Sequence, residues 1–304
     1  MSRIVSISTL IGTVALLWLP AALTAQGPAA PPQRTRDVPP AGGCPGEPRL
    51  FYRCATEKAK TFTSPRTPFG QPDLQGYYTH GRQNYDLEDH PETFDARQET
   101  TAIVDPPDGT IPYQAWAEAK RRDIRRHLAD PPSLEYLNPN SRCYLRSPVP
   151  QLYAPFPLQI VQTPTHVLIL QEQNHAYQII PVDGRPHLGP AIRLWMGDSR
   201  GWWEGNTLVV ESTNLAARLA NRNWLDQSGN FYTDKAYLVQ RFIPVDADTL
   251  IYEATIDDPA VFTRPWTLAM PLRRQKDPGF ELLEFACREG NRAPELSLRP
   301  GLPK

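Results

Sequence analysis

The chain has 304 residues, a formal net charge of −1, 40% apolar residues and 21% charged residues. This balance creates no overall field that would attract nucleic acid or an anionic membrane surface, so we expect neither as a partner. Pro supplies 34 residues, more than twice its usual share of about 5%. Because Pro interrupts interior helical hydrogen bonds, the composition disfavours a mainly helical fold.

The first 25 residues have the pattern of an export signal. Arg3 is the only charge before residue 34, a mainly apolar run follows it, and Pro20 ends that run ahead of Leu23-Thr24-Ala25. We predict a signal peptide at 1–25, cleaved before Gln26, and a periplasmic or secreted bacterial protein without stable membrane insertion after cleavage. The alternative is a membrane anchor over 4–25, which is long enough to span a bilayer.

Four Cys residues in an exported chain predict two disulfides. Three pairings are possible. Cys44 and Cys54 have nine residues between them, which favours a local Cys44–Cys54 bridge and leaves Cys143–Cys287 to join the start of the β region to its last strand. A metal site is the alternative, but the chain contains no Cys-x-x-Cys.

After the predicted signal peptide, the chain is expected to divide into three regions. Residues 26–68 form a Pro-rich leader and a Cys-tethered arm, of which 26–48 have too little apolar surface to pack and are predicted to be flexible. We expect a single domain over 69–292, which begins with a turn and a strand near Tyr77, and a tail at 293–304. Residues 80–111 are polar and are predicted to run over the surface.

One helix is predicted from Pro112 to about Leu128, because Pro is favourable at a first helical position. Its apolar face carries Trp116, Ala119, Ile124 and Leu128. The other face is basic, and it is either solvated or an anion-binding surface; its residues are Lys120, Arg121, Arg122, Arg125 and Arg126.

From Leu158 onward, short runs rich in β-branched and aromatic residues alternate with turn residues. Most linkers are too short for a crossover helix, so the strands should form an antiparallel meander, as an up-and-down barrel or a sandwich. The predicted strands are Leu158–Gln162, His166–Gln171, Tyr177–Val182, Ile192–Met196, Thr207–Thr213, Tyr237–Val245, Thr249–Asp257, Trp266–Leu272 and Phe280–Cys287.

A tryptophan-rich stretch, residues 195–206, lies between two of these strands and is predicted to be a loop. Gly205-Asn206 is typical of a tight hairpin turn. Asp198 and Arg200 either lock the loop as an ion pair or orient a substrate, and the faces of Trp202 and Trp203 can stack on a sugar or an aromatic ligand.

Single charges interrupt several otherwise apolar strands. They are Glu211, Arg241, Glu253 and Glu284. One interpretation is a wet sheet face with cross-strand ion pairs. The other is a barrel interior in which carboxylates and an Arg converge on a ligand, with Arg241 and Glu253 as substrate-binding residues.

Two histidines lie near carboxylates in turns. Glu172-x-x-His175 follows a strand, and His187 comes twelve residues after His175. If the chain turns at Gln173-Asn174, Glu172 and His175 can act as an acid–base pair. A zinc or iron site is a second possibility, and histidines with purely structural hydrogen bonds are a third. We expect no cofactor.

A series of motifs resembles a large, mainly uncharacterised family of exported bacterial proteins. The motifs include Asp73-Leu74-x-Gly76, Ile103–Gly109, Ile179–His187, Gly197–Gly205, Thr263–Trp266 and Cys287-x-Glu289-Gly290-Asn291. The resemblance covers about residues 69–292. It implies a β-rich, calycin-like or lipocalin-like barrel and supports the Cys143–Cys287 bridge, and it carries no assigned reaction.

These observations lead to three functional hypotheses. The first is a cofactor-independent acid–base enzyme, such as a lyase, an isomerase or a hydrolase, acting on a small molecule. Its catalytic residues would be Glu172, His175, His187 and Glu204, and its substrate-binding residues Asp198, Arg200, Trp203, Arg241 and Glu253. The second is a periplasmic binding or carrier protein for a small apolar or carbohydrate ligand. The third is a scaffold protein in an envelope complex.

Overall fold

The computed structural model describes residues 39–80, 86–88, 101–216, 223–287 and 289, which belong to one compact unit. The predicted signal peptide and the tail at 293–304 lie outside the described residues. In the described part of the chain, no helix is both long and apolar enough to cross a bilayer.

The described residues contain three α-helices and ten β-strands. The helices are Pro48–Ala59 (α1), Ala115–Arg126 (α2) and Pro148–Leu152 (α3). The strands are Gly76–Thr79 (β1), Ile103–Asp105 (β2), Leu158–Gln162 (β3), His166–Gln171 (β4), Tyr177–Pro181 (β5), Asp198–Glu204 (β6), Thr207–Thr213 (β7), Tyr237–Pro244 (β8), Thr249–Asp257 (β9) and Trp266–Arg274 (β10).

All ten strands form one antiparallel sheet that closes almost into a barrel. Nine of them follow the order β5-β4-β3-β1-β10-β9-β8-β7-β6, and β2 pairs with β10 beside this path. Neighbouring strands alternate in direction, so the first and last strands of this nine-strand path, β5 and β6, run in the same direction. Side chains join them: Gln178 Nε2 donates to Ser199 Oγ at 2.9 Å. The predicted mainly β antiparallel meander is confirmed.

Strand alternation directs large side chains into the barrel interior. Trp266, Tyr78, Tyr252 and Phe242 are fully buried there. The interior of a small barrel holds such side chains or one small ligand. Burying each such apolar or aromatic side chain stabilises the fold by about 1.5–3 kcal/mol.

Helix α1 packs on the outside of the barrel. Glu47 caps its first turn by accepting from the backbone N–H groups of Arg49 and Leu50. Phe51 and Ala55, one turn apart, are buried together with Ile251 of β9 and Ala269 of β10. Ala41 and Cys44 are buried in this same cluster. The predicted Cys44–Cys54 disulfide is confirmed and joins this segment to α1. The prediction of a flexible leader is therefore wrong for the described part of 26–48.

Helix α2 is shorter than predicted, and it turns a different face inward. It buries Ala117 and Ile124, whereas Trp116 is 51% exposed. Residues before Ala115 are extended, because Tyr113 forms a β-bridge with Phe262. Carboxylates partner the basic side chains: Arg121 binds Glu88 and Glu118, Arg122 binds Glu118, Arg125 binds Asp86 and Arg126 binds Asp123. An anion-binding surface on this helix is not supported.

Two of the predicted strands are wrong. Ile192–Met196 contains only an isolated bridge from Leu194 to Leu215, and the tryptophan-rich stretch is itself strand β6. Gly205 has a φ of +61° in the tight turn that joins β6 to β7, so the predicted hairpin turn is confirmed.

The segment 280–287 is not a strand, so Glu284 does not interrupt one. The confirmed Cys143–Cys287 disulfide holds this segment instead.

Candidate functional site

His187 lies outside the barrel, in the connection between β5 and β6. Its Nδ1 is 2.8 Å from Asp198 Oδ2 and its Nε2 is 3.0 Å from Glu211 Oε1. Each ring nitrogen therefore lies within hydrogen-bond distance of a carboxylate oxygen. Both ring nitrogens are engaged, and neither is left to exchange a proton with a substrate.

The contacts around His187 fasten this connection to the sheet. Arg200 donates to Asp198 Oδ1 at 2.6 Å and to the carbonyl of Pro186 at 2.8 Å. The Leu188 N–H donates to Asp198 Oδ2 at 2.7 Å. The Tyr237 hydroxyl donates to Glu211. Burial and this carboxylate raise the pKa of Tyr237 to about 12. These contacts favour the loop-locking interpretation of Asp198 and Arg200.

A second group of charges lies on the outer face of β6, β8 and β9. Arg241 is 3.6 Å from Glu204 and 3.9 Å from Glu253. Glu253 also accepts from the hydroxyl of Tyr52 on α1 at 2.5 Å. The interpretation that Arg241 and Glu253 converge inside the barrel is wrong, because Gln240 and Phe242 face inward and Arg241 lies between them.

The two neighbouring tryptophans of β6 face opposite sides of the sheet. Trp202 is 38% exposed, and its Nε1 donates to Glu204 at 2.9 Å. Trp203 turns inward and packs against the barrel core. The predicted substrate-binding residues are therefore divided between the outer face and the core.

Glu172 and His175 contact a different part of the chain, the segment 280–287. The chain does turn here, in a short 3₁₀ helix, Gln173–His175, with positive φ at Asn174 and His175. Glu172 accepts from the N–H of Leu283 at 2.8 Å, and His175 Nε2 accepts from the N–H of Phe285 at 3.3 Å. Within the described residues, no side-chain hydrogen bond or ion pair joins Glu172, His175, His187 and Glu204 to one another, so the predicted catalytic cluster is not formed.

The residue between them, Gln173, is buried and organises a polar group inside the protein. Its Oε1 accepts from Arg146 Nη2 at 3.0 Å, and its backbone carbonyl accepts from Gln151 Nε2 at 2.8 Å. Tyr153 and Tyr252 are fully buried in the same core. We call Arg146, Gln151, Tyr153, Gln173 and Tyr252 the interior polar cluster.

Several atoms of this cluster have no hydrogen-bond partner among the described residues. They are Arg146 Nε, Gln151 Oε1 and the hydroxyl oxygens of Tyr153 and Tyr252. Burial raises the pKa of both tyrosines far above its ordinary value. They are therefore neutral O–H groups at physiological pH, able both to donate and to accept.

Arg146 is the charged member of the cluster. Burial lowers its pKa, but the ordinary value for Arg is so high that the guanidinium keeps its charge at neutral pH. Asp226 influences it electrostatically without forming an ion pair. The oxygens of Asp226 instead accept from the backbone of Leu87, Ser228 and Asn230 and from the Asn230 side chain.

A polar belt crosses the interior where β5 meets β6. Gln178 donates to Ser199 at 2.9 Å, Ser199 contacts Ser212 at 2.8 Å, and Gln240 donates to Gln178 at 3.3 Å. All four side chains are buried, and Gln240 Oε1 has no partner. The barrel interior therefore carries neutral polar groups on its strands as well as the cluster beside α3.

Sequence reasoning missed the interior polar cluster because it followed ionisable groups in strands and turns. Arg146 precedes the short helix α3, where no periodic pattern indicated burial. The sequence feature that could have indicated a polar interior is a glutamine at an inward position of a strand whose other inward residues are apolar. Three strands show it, at Gln171, Gln178 and Gln240.

The described residues contain no group of three or more His, Cys, Asp or Glu side chains that could hold a metal ion. The fold and these contacts define a nearly closed antiparallel β-barrel with a polar cluster in its interior. Neither a protein-family model nor a curated protein matches the chain.

Proposed function

We propose that the protein binds or carries a small polar molecule inside its barrel. The observation that supports this is the set of buried, unpartnered polar atoms on Gln151, Tyr153, Gln240 and Tyr252. Leaving such a group unsatisfied costs about 1–3 kcal/mol. Phe in place of either Tyr would bury no hydroxyl and would therefore avoid this cost. A bound molecule that hydrogen-bonds to these groups offsets that cost.

The dispersion of the predicted catalytic residues supports binding over acid–base catalysis. A general base needs a free lone pair within hydrogen-bond reach of its substrate. Carboxylates engage both nitrogens of His187, and Glu172 and His175 hold backbone N–H groups of 283 and 285. The predicted signal peptide and the two disulfides support a periplasmic or secreted location.

The binding atoms are shielded from solvent, so a molecule enters through a transient opening. The segment 280–287 lies at the end of the barrel where Gln173 meets Arg146. It is held there by Glu172, by His175 and by the Cys143–Cys287 disulfide. We propose this end as the entrance, because it combines a tethered segment with the largest group of unpartnered atoms.

Native mass spectrometry of the full chain, purified after export, tests the proposal. We expect the wild type to carry a small molecule that denaturation releases. The double variant Tyr153→Phe/Tyr252→Phe should lose it. The matched control is Tyr177→Phe, which removes a hydroxyl from a side chain 59% exposed on the outer face, and it should keep the molecule.

The same variants separate a binding role from a packing role. In ligand-free protein, the double variant should unfold at higher urea than the wild type, because two unsatisfied hydroxyls are removed. A wild type that carries no molecule, and that gains no thermal stability from a periplasmic extract, would overturn the proposal. So would a folded double variant that retains the same molecule.

A further inference from the structure

We infer that the bound molecule carries a carboxylate group and that Arg146 is its anchor. This inference rests on the interior binding site proposed above and adds the chemical class of the ligand. Arg146 is only 4% exposed. Within the part of the chain that the structure describes, its one hydrogen-bond acceptor is the neutral Gln173 Oε1, and its Nε has no acceptor.

A second buried arginine provides the comparison within the same chain. Arg121 is 7% exposed, and two carboxylates surround it, with Glu118 at 2.8 Å and Glu88 at 3.3 Å. No carboxylate of the described residues forms an ion pair with Arg146. A buried charge without a partner costs several kcal/mol, so buried arginines are ordinarily paired. Arg146 therefore differs from Arg121, whose guanidinium two carboxylates neutralise.

The shape of the guanidinium points to a carboxylate. Its Nε–H and the neighbouring Nη2 lie on one edge, and this edge matches the two oxygens of a carboxylate. Gln173 already accepts from Nη2, so a bound carboxylate would accept from Nε and share Nη2 with Gln173. One guanidinium among neutral groups balances one negative charge, which suits a carboxylate better than a phosphate dianion.

The rest of the cluster indicates what else the molecule contains. The hydroxyls of Tyr153 and Tyr252 each donate one proton and also accept, whereas Gln151 Oε1 only accepts. Hydroxyl groups on the ligand match this mixture, because they too both donate and accept. The structure therefore points to a small hydroxylated monocarboxylate, such as a sugar acid.

Calorimetric titration with matched pairs of probes tests the inference. Each pair shares a skeleton and differs in the acid group: D-glucuronate with D-glucose, L-lactate with 1,2-propanediol, and benzoate with benzamide. Inorganic phosphate and sulfate form separate arms. We expect the wild type to bind a carboxylate at least tenfold more tightly than its neutral counterpart. Arg146→Met should remove this preference, and Arg193→Met, at an exposed arginine, should leave it intact.

Stability of the ligand-free variants separates an anchor from a structural arginine. Arg146→Met removes an unpaired buried charge and should raise the urea midpoint, whereas a structural role for Arg146 predicts a lower one. If Arg146→Met does not fold, Arg146→Lys keeps the charge without the planar fork and should weaken carboxylate binding by at least tenfold. Carboxylate affinity unchanged in the folded variant would overturn the inference.

Failure of this inference differs from failure of the proposed function. If the wild type binds neutral probes, or phosphate or sulfate alone, and the Tyr153→Phe/Tyr252→Phe variant loses that binding, the interior site stands and the carboxylate class is wrong. If the molecule released from the wild type has a formula without a carboxylate, the class is again wrong. If nothing is released and no probe binds, both proposals are wrong.

Discussion

Gln173 accepts a hydrogen bond from the buried guanidinium of Arg146 at 3.0 Å, while Glu172 and His175 of the same turn contact a different segment. Glu172 and His175 hold the backbone of the segment 280–287. Positive φ angles at Asn174 and His175 make this division possible. A single turn thus links the interior polar cluster to the segment that lies beside it.

Removal of the His187 side chain should destabilise the protein without affecting a ligand inside the barrel. His187→Ala removes the side chain that contacts both Asp198 and Glu211. Hydrogen bonds to charged groups contribute about 1.5–3 kcal/mol each, so we expect a loss of about 2–3 kcal/mol in the free energy of unfolding, measured by urea denaturation. A double-mutant cycle with Glu211→Gln should show coupling.

The control for this experiment is His166→Ala. Among the described residues, the His166 ring has one hydrogen bond, to the hydroxyl of its neighbour Thr165, so its removal should change stability by less than about 0.5 kcal/mol. Equal losses for His187→Ala and His166→Ala would contradict the fastening role of His187.

The two disulfides should differ in their contributions to stability. Cys143–Cys287 has a sequence separation of 144, and Cys44–Cys54 one of 10. The chain-entropy relation gives about 5 kcal/mol for the longer loop and about 3 kcal/mol for the shorter. Replacing each pair with Ser should reproduce this order in urea denaturation. A larger loss from the Cys44/Cys54 pair would show that anchoring α1 outweighs loop length.

The strands were predictable wherever their signals are local. The bounds of β3, β4, β7 and β9 match the predictions, because β-branched runs between turn residues are local features. Strand β6 was missed for a long-range reason. Gly201 has no room for a side chain, since a Cβ there would lie 2.7 Å from Ile180 on β5. Strand β6 lies where the two edges of the barrel meet, and the close approach of β5 requires a small residue there. The strand therefore lacks the regular alternation of apolar and polar residues that predicts a strand.

The candidate site was less predictable because both faces of several strands are apolar. In β8, Leu238 and Phe242 face inward with Gln240, whereas Val239 and Ile243 face outward with Arg241. The outer face is apolar partly because α1 packs near it, with Ile243 against the α1 cluster. Nothing local in the sequence distinguishes these faces, so the inward position of Gln240 and the outward position of Arg241 emerge only from the assembled sheet.

Stability should depend on pH through Asp226. Burial, reinforced by the neighbouring Asp86, raises the pKa of Asp226 to about 7 from an ordinary value near 3.8. Between these values the carboxyl is protonated when folded and ionised when unfolded. The contribution of Asp226 to the free energy of unfolding is therefore fully present below about pH 4, and it is lost as the pH rises through about 7.

The comparison of wild type with Asp226→Asn isolates this contribution. The variant should show a flatter dependence of the unfolding free energy on pH between 4.5 and 8, whatever its absolute stability. Asp123→Asn, at a carboxylate near the surface on α2, should keep the slope of the wild type. A slope unchanged in Asp226→Asn would exclude Asp226 as its source.

The hydroxyl of Tyr52 should help to dock α1 on the barrel. It donates to Glu253 at 2.5 Å, and burial followed by this carboxylate raises the pKa of Tyr52 above its ordinary value. Tyr52→Phe should cost about 1.5–3 kcal/mol, the usual contribution of a hydrogen bond to a charged group. Faster proteolysis within 39–60 should accompany this loss. Tyr177→Phe serves as the control, and a ligand inside the barrel should be retained in both.

Loosening the segment 280–287 should speed exchange at the proposed entrance. His175→Ala removes the acceptor for the N–H of Phe285, and Glu172→Gln weakens the acceptor for the N–H of Leu283. Amide hydrogen exchange read by mass spectrometry should become faster in the peptide that covers 280–287, with strands β7 to β9 unchanged. The molecule carried by the wild type should also dissociate faster on dilution. His187→Ala, which alters a different connection, should leave both rates unchanged, and equal acceleration in that variant would point to global destabilisation instead of an entrance.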